Sequence, residues 1–140
     1  MTIIVFPHPV SANKYWRSAV PKGWTRAVTY PSAEAKAYKE EVGWLAKVAG
    51  FKVPTDKPVA LTLVLCPRLF DINGKRTGVV MDLGNCWKVA EDALQGIVYV
   101  NDRQVKKLCM EYGEKTDRGQ LIVDVKEFVP APAPLFAEAA

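Results

Sequence analysis

Val59-Ala60-Leu61-Thr62-Leu63-Val64-Leu65-Cys66 is apolar at every position but Thr62. A short apolar run bounded by turn residues reads as a strand. One that is apolar on both faces belongs in the middle of a sheet, with a neighbour on each side. The rest of the chain can be read outward from it. Upstream, Pro54 to Pro58 is a connector, and Pro31-Ser32 opens a helix that Ser32 can cap and Glu34 favours in its first turn. Tyr38, Val42, Leu45 and Ala49 form one apolar stripe on it, and Gly50 ends it. Downstream, Arg68 to Val80 is a loop marked by Asn73-Gly74 and Gly78. A second helix runs from about Leu83 to Gln95, its buried face formed by Cys86, Val89, Ala90, Ala93 and Leu94. Gly96 ends it.

The ends of the chain supply further strands. Thr2–Phe6 is β-branched and apolar and is stopped by Pro7 and Pro9. Ser11 to Tyr30 is an irregular segment or hairpin. After the second helix come a short extended run at Ile97–Val100 and a turn at Asn101-Asp102. A strand follows from about Val105 to Tyr112, then a turn over Gly113–Gly119. The last strand alternates Leu121, Val123 and Val125 inward. The order β-α-β-α-β-β predicts an α+β domain, a small mixed β-sheet with two helices on it, over residues 1–128. Residues 129–140 form a Pro/Ala-rich tail, polyproline-like at Pro130–Pro134 and expected to be flexible.

Composition narrows the function. At 140 residues there is room for one domain, and 49% apolar with 24% charged residues is the balance of a soluble globular protein, not a disordered chain. No apolar run approaches the ~18 residues of a membrane span, and the N-terminal run is too short for a signal peptide. The expected compartment is the cytosol, with no membrane partner. Cys66, Cys86 and Cys109 stand far apart and His8 is the single histidine, which excludes a disulfide framework and a zinc site. Any metal would be a hard cation on carboxylate oxygens. Residues 1–80 carry 12 Lys/Arg against 5 Asp/Glu, and residues 81–140 carry 7 against 10. That division suits a protein that grips a polyanion and sets carboxylates beside it, though two differently solvated faces would look the same. Between Ser11 and Tyr30, Lys14, Arg17, Lys22 and Arg26 occur without an acid and are interleaved with Tyr15, Trp16, Trp24 and Tyr30. Such an arm can lie along DNA phosphates; the alternatives are a dimer contact, or aromatics packed under the loop.

The chemistry concentrates in Met81 to Gly96 and the following Asn101 to Val105. Asp82 stands at the mouth of the second helix. Asn85, Lys88 and Asp92 follow at i, i+3 and i+7, away from the Cys86/Val89/Ala93 stripe, and Asp102 lies in the turn beyond. Carboxylates from a helix start and a turn, with a lysine nearby, suit Mg²⁺-assisted hydrolysis of a phosphodiester. Each residue also has a plain structural reading: Asp82 as a helix cap, Asp102 as a turn residue, Lys88 with Asp92 as a surface ion pair, and Glu91 as solvated surface.

The segment D-L-G-N-C-W-K-V-A-E-D-A-L, followed by N-D-R-Q-V, resembles the signature of the RusA family of Holliday junction resolvases, D-L-D-N-x-x-K-x-x-x-D-A-L and then D-D-x-Q-[VI]. Asn13-Lys14-Tyr15-Trp16 and Ser32 to Tyr38 are similar as well, so the likeness spans roughly residues 2–128. The resemblance implies a prophage-type, dimeric endodeoxyribonuclease acting on four-way DNA junctions in recombination and repair. It implies a Mg²⁺ cofactor, with Mn²⁺ as the alternative ion, and no organic cofactor. Asp82 and Asp102 match the metal-binding aspartates, Lys88 the functional lysine, and Asn85 and Asp92 positions near the site. Lys14, Tyr15, Trp16, Arg17, Arg26, Asn85, Lys106 and Lys107 are then the expected DNA contacts. A homodimer fits, since two symmetric nicks across a two-fold junction call for two related sites. Two residues depart from the signature. Gly84 stands where many members carry a second aspartate, and Asn101 replaces the first acid of the D-D pair. Asp92, which has the better helical phase relative to Lys88 and is taken as the third metal ligand, or else Glu91 would supply the missing oxygen, or water would, or cleavage is weakened. A junction-binding protein without cleavage, and a nuclease for other branched DNA, are the alternatives.

Overall fold

The computed structural model describes residues 2–134. Its main sheet has four strands in the order β1-β6-β4-β5: β1 (Thr2–Pro7), β4 (Val59–Cys66), β5 (Val105–Tyr112) and β6 (Gln120–Glu127). β6 pairs antiparallel with both β1 and β4, while β4 and β5 are parallel, so the sheet is mixed as the element order predicts. β4 is hydrogen-bonded along both edges, the central place its apolar run demands.

Its two faces are not equally covered. Val59, Leu61, Leu63 and Leu65 are buried under the helices beside Ile4, Phe6, Leu121 and Val123, whereas Thr62 on the opposite face is exposed. In register with Thr62 and Val64 on that outer face are Ile3, Asp124 and Cys109, and Val5, Ile122 and Glu111. Ile3 and Val5 are about half exposed, at 57% and 49%.

Two helices cover the inner face. α2 (Ala33–Val48) starts at Ser32, whose side chain accepts from the Ala35 N–H at 3.1 Å, and it buries Ala35, Tyr38, Val42 and Ala46. Leu45 packs at the margin of the core, and Ala49 is an exposed terminal residue, so the buried stripe sits slightly off the predicted one. α3 (Leu83–Leu94) buries Cys86, Val89, Ala90, Ala93 and Leu94, the predicted face. It is the crossover between the parallel strands β4 and β5, and such strands need a long connection of this kind. The Lys39 ammonium, on α2, donates to the carbonyls of Asp92 and Gln95 at 2.8 and 2.9 Å, supplying a cation where the α3 dipole is negative.

The basic segment is a hairpin after all, β2 (Trp16–Ala19) with β3 (Val28–Pro31), preceded by a single helical turn α1 (Ala12–Tyr15) that periodicity cannot reveal in four residues. Ile97–Val100 is not extended but forms a turn around Gly96, with Val98 and Tyr99 buried. Among the described residues no helix is long and apolar enough to cross a membrane. The Pro/Ala stretch 129–134 has no regular structure, and the remaining tail residues 135–140 lie outside the described residues.

Leu63 has no exposed surface, and its strand is held from both sides. Leu63→Ala should cost about 2–5 kcal/mol, read as a lower urea midpoint at unchanged slope. Gly119→Ala should also destabilise, since its φ of +73° is left-handed and a Cβ would come within 2.6 Å of the His8 ring and 2.8 Å of Arg68 Cγ.

Candidate active site

The residues of the motif divide between two faces of α3. Asp82 is the helix N-cap, and its Oδ1 accepts from the Asn85 N–H at 2.6 Å. Its structural reading is therefore correct, yet the residue remains exposed, with a second carboxylate oxygen to spare. Gly84, Lys88 and Glu91 follow at spacings of four and three and share one side of the helix. Asp82 belongs to that line, since its Oδ1 lies 3.6 Å from where a Gly84 Cβ would stand.

Glu91 meets Asp102. Partial burial and hydrogen bonding with the Asp102 carboxylate, with further repulsion from Asp102 and Asp92, push the Glu91 carboxyl above the usual range. Asp102 reaches this place because the sequence builds a small cap around it. Residues Asp102–Gln104 form one 3₁₀ turn. Asn101 Oδ1 accepts from the Arg103 N–H at 2.9 Å, and Gln104 Oε1 accepts from the Asn101 N–H at 2.8 Å, a reciprocal capping box. The Gln104 amide also donates to the carbonyls of Thr55 and Lys57 at 2.7 and 2.9 Å, fastening the turn to the connector before β4. Asn101 thus serves as a cap, and the N-x-x-Q spacing carries that signal.

Asp82 and Glu91, the acid beside Asp102, stand toward opposite ends of α3. Asp82 opens α3 and Glu91 lies nine residues along it, about 13 Å of helical rise at the backbone. Among the described residues no three acidic, histidine or cysteine side chains converge closely enough to enclose a metal. Asp82, Glu91, Asp92 and Asp102 also have no Lys or Arg partner, the ion pair among the described residues being Lys126 with Asp124. The donor set fits a hard divalent cation: carboxylate oxygens, uncompensated negative charge, and one pair close enough to repel.

Asn85 and Asp92 face the other way. Asn85 Oδ1 accepts from the Ala12 N–H at 2.8 Å, and an Asp92 carboxylate oxygen accepts from the Tyr15 hydroxyl. The expected line of Asn85, Lys88 and Asp92 is therefore corrected by one residue: α1 occupies that side, and Glu91, not Asp92, is the acid beside Asp102. Tyr15 is corrected too. It is 1% exposed, with its ring edge-on to Trp16 at 4.5 Å, so it is not available to DNA. Burial first, then the Asp92 carboxylate, raises the Tyr15 phenol far above its ordinary value and keeps it a donor. Trp16 is half-buried, while Trp24 and Tyr30, with 62% and 44% exposure, are the aromatics the hairpin presents outward. Lys14, Arg17, Lys22 and Arg26 are exposed on or beside the same hairpin, and Lys106 and Lys107 are exposed on the edge strand β5, just after Asp102. Cys86 is fully buried, its thiol pushed up to about 12 by burial and then by Asp82, and it is an inert core residue.

No curated protein matches the chain. A family model described as Endodeoxyribonuclease RusA matches residues 7–126. That range runs from the end of β1 to near the end of β6 and takes in the hairpin, both long helices and the acidic turn, and the chain belongs to the RusA endodeoxyribonuclease family.

Proposed function

We propose that the protein is a divalent-metal-dependent Holliday junction resolvase that works as a homodimer and introduces paired nicks. Membership of the family supports endonucleolytic cutting of branched DNA. The observation that carries the reading further is the row Asp82, Gly84, Lys88 and Glu91 on one exposed side of α3, ending at Asp102. Asp82, Glu91 and Asp102 would hold the ion, Mg²⁺ or Mn²⁺. When bound, it supplies Lewis acidity toward the phosphodiester and a more acidic water. Lys88 sets an ammonium on the same side, where it offsets the charge that builds up on a phosphate under attack. The hairpin, with Lys14, Arg17, Lys22 and Arg26, and the pair Lys106 and Lys107 would grip the flanking phosphates. The uncovered row Ile3, Val5, Ile122 and Val64 on the outer sheet face supports association with a second copy. In a second reading the protein binds junctions and cuts them weakly. The missing carboxylate at Gly84 favours it.

The test is cleavage of a synthetic four-way junction across a Mg²⁺ titration, with sedimentation to give the subunit number. Asp82→Asn, Asp102→Asn and Glu91→Gln should each lower the cleavage rate by about 100-fold or more, with junction binding intact or tighter as repulsion of phosphate is relieved. Wild-type cutting by any of them removes that residue from the metal site. Gly84→Asp meets open space apart from Asp82 Oδ1 at 3.6 Å. It should lower the Mg²⁺ needed for half-maximal cleavage, by ~10-fold for one added ligand oxygen. An unchanged titration says that Glu91 already fills the place.

The arm has a separate signature. Lys14→Ala with Arg17→Ala should reduce the salt slope of junction binding by about two, one for each lost phosphate contact. Trp24→Ala should instead reduce the preference for a junction over duplex DNA, because the exposed ring stacks at the open centre. An unaltered slope and an unaltered preference would place the DNA elsewhere.

A further inference from the structure

Asn85 and Asp92 lie on the helix that carries the acidic row, yet their side chains are spent on α1, the single turn from which the basic hairpin departs. The Ala12 N–H donates to Asn85 at the start of the turn, and the Tyr15 hydroxyl donates to Asp92 at its end. From the opposite side, Ser32 holds the same turn. Its hydroxyl donates to the Lys14 carbonyl at 2.6 Å and its N–H to the Tyr15 carbonyl at 2.8 Å, while its Oγ caps α2. Tyr15 and Ser32 are 1% and 4% exposed, so water does not compete for these bonds. Beyond them the hairpin has little else to hold it. From Arg17 to Ala19 and from Val28 to Pro31 every residue is exposed.

We infer that Asn85 and Asp92 are positioning residues: they latch the DNA-gripping hairpin to the catalytic helix and so fix the distance between the phosphates the hairpin holds and the phosphate presented to Asp82, Lys88 and Glu91. This rests on the reading of the hairpin as the DNA arm. The spacing of seven residues between Asn85 and Asp92 is two turns of one helix side, which spans the one-turn α1 from its first residue to its last. Misplacing a bound phosphate by about an ångström is enough to cost ~100-fold in rate. The latch thus acts on turnover and leaves the number of phosphate contacts alone.

The decisive variants are Tyr15→Phe, Asp92→Ala, Asp92→Asn and the double variant Tyr15→Phe/Asp92→Ala, each confirmed as folded by its urea midpoint. Tyr15→Phe and Asp92→Ala should lower kcat on the junction by 10- to 100-fold, with the Mg²⁺ midpoint and the salt slope unchanged. The double variant should be no worse than either alone. Asp92→Asn keeps an oxygen to accept the Tyr15 hydroxyl and should recover much of the rate lost in Asp92→Ala. A metal ligand would behave oppositely: Asp92→Asn would fail and raise the Mg²⁺ requirement, and Tyr15→Phe would cut normally. Amide hydrogen exchange gives a readout that does not depend on cleavage. Exchange over residues 16–19 and 28–31 should quicken in Tyr15→Phe and Asp92→Ala but not in Asp92→Asn. If wild-type protein cuts no junction yet shows this exchange pattern, the nuclease reading falls and the latch stands. If exchange is unaltered in all variants, or losses in the double variant simply add, the latch falls.

Discussion

Two parallel strands cannot be joined by a tight turn, and this constraint on β4 and β5 organises the molecule. The chain must leave the end of β4, cross the sheet face and return to the start of β5, and α3 is that crossing. Its apolar side is fixed against the sheet by Cys86, Val89, Ala90, Ala93 and Leu94. Every polar residue of the motif is thereby assigned a direction before any chemistry is considered. Tyr112, at the far end of β5, donates to the Met81 carbonyl and ties down the helix start, while Lys39 and the Tyr99 hydroxyl engage carbonyls near its end. The acidic row is consequently carried by a helix held at both ends, a better platform for placing carboxylates than a loop.

The remaining sides of α3 have different duties. One is exposed and carries Asp82, Lys88 and Glu91. The other, one residue further round, is turned onto α1 through Asn85 and Asp92. A carboxylate half-buried against a phenol is well placed as an acceptor, and burial of the phenol, then its bond to that carboxylate, keep the phenol protonated. Glu91 is in a different position: partial burial, and then the neighbouring Asp102 carboxylate, disfavour its ionised form. Neighbouring acids on the same helix are thus prepared for different work by what they face.

Much of this was legible in the residues, and the limits have physical causes. The strand at Gln120–Glu127 and both long helices follow from periodicity, because burial on one face repeats over many residues, and the strand at Val59–Cys66 follows from its unbroken apolar run. The one-turn α1 has no period to read. The acid that joins Asp102 was missed for a related reason: Asp92 and Glu91 differ by 100° around the helix, and both sit within a turn of Lys88, so spacing alone admits either. What decides between them is Tyr15, distant in sequence, whose buried hydroxyl needs an acceptor. Likewise, the sequence offered four arm aromatics and no means of sorting them. Tyr15 and Trp16 turn inward because they directly join the core turn, and Trp24 and Tyr30 stay outside because the hairpin carries them away from it.

Gly84 marks the point where sequence identity and geometry weigh differently. By matching, it removes a carboxylate from the family signature. By position, it leaves an uncrowded place on the row between Asp82 and Glu91, with only Asp82 Oδ1 near a substituent there. A helix side that alternates acid, gap, lysine and acid spreads its negative charge over two turns, which limits repulsion among the carboxylates, and Asp82 serves also as the helix cap. A cation held by Asp82, Glu91 and Asp102, as the proposed function has it, would depend on an arriving phosphate for its remaining oxygens, and its affinity would then be higher on DNA than off it.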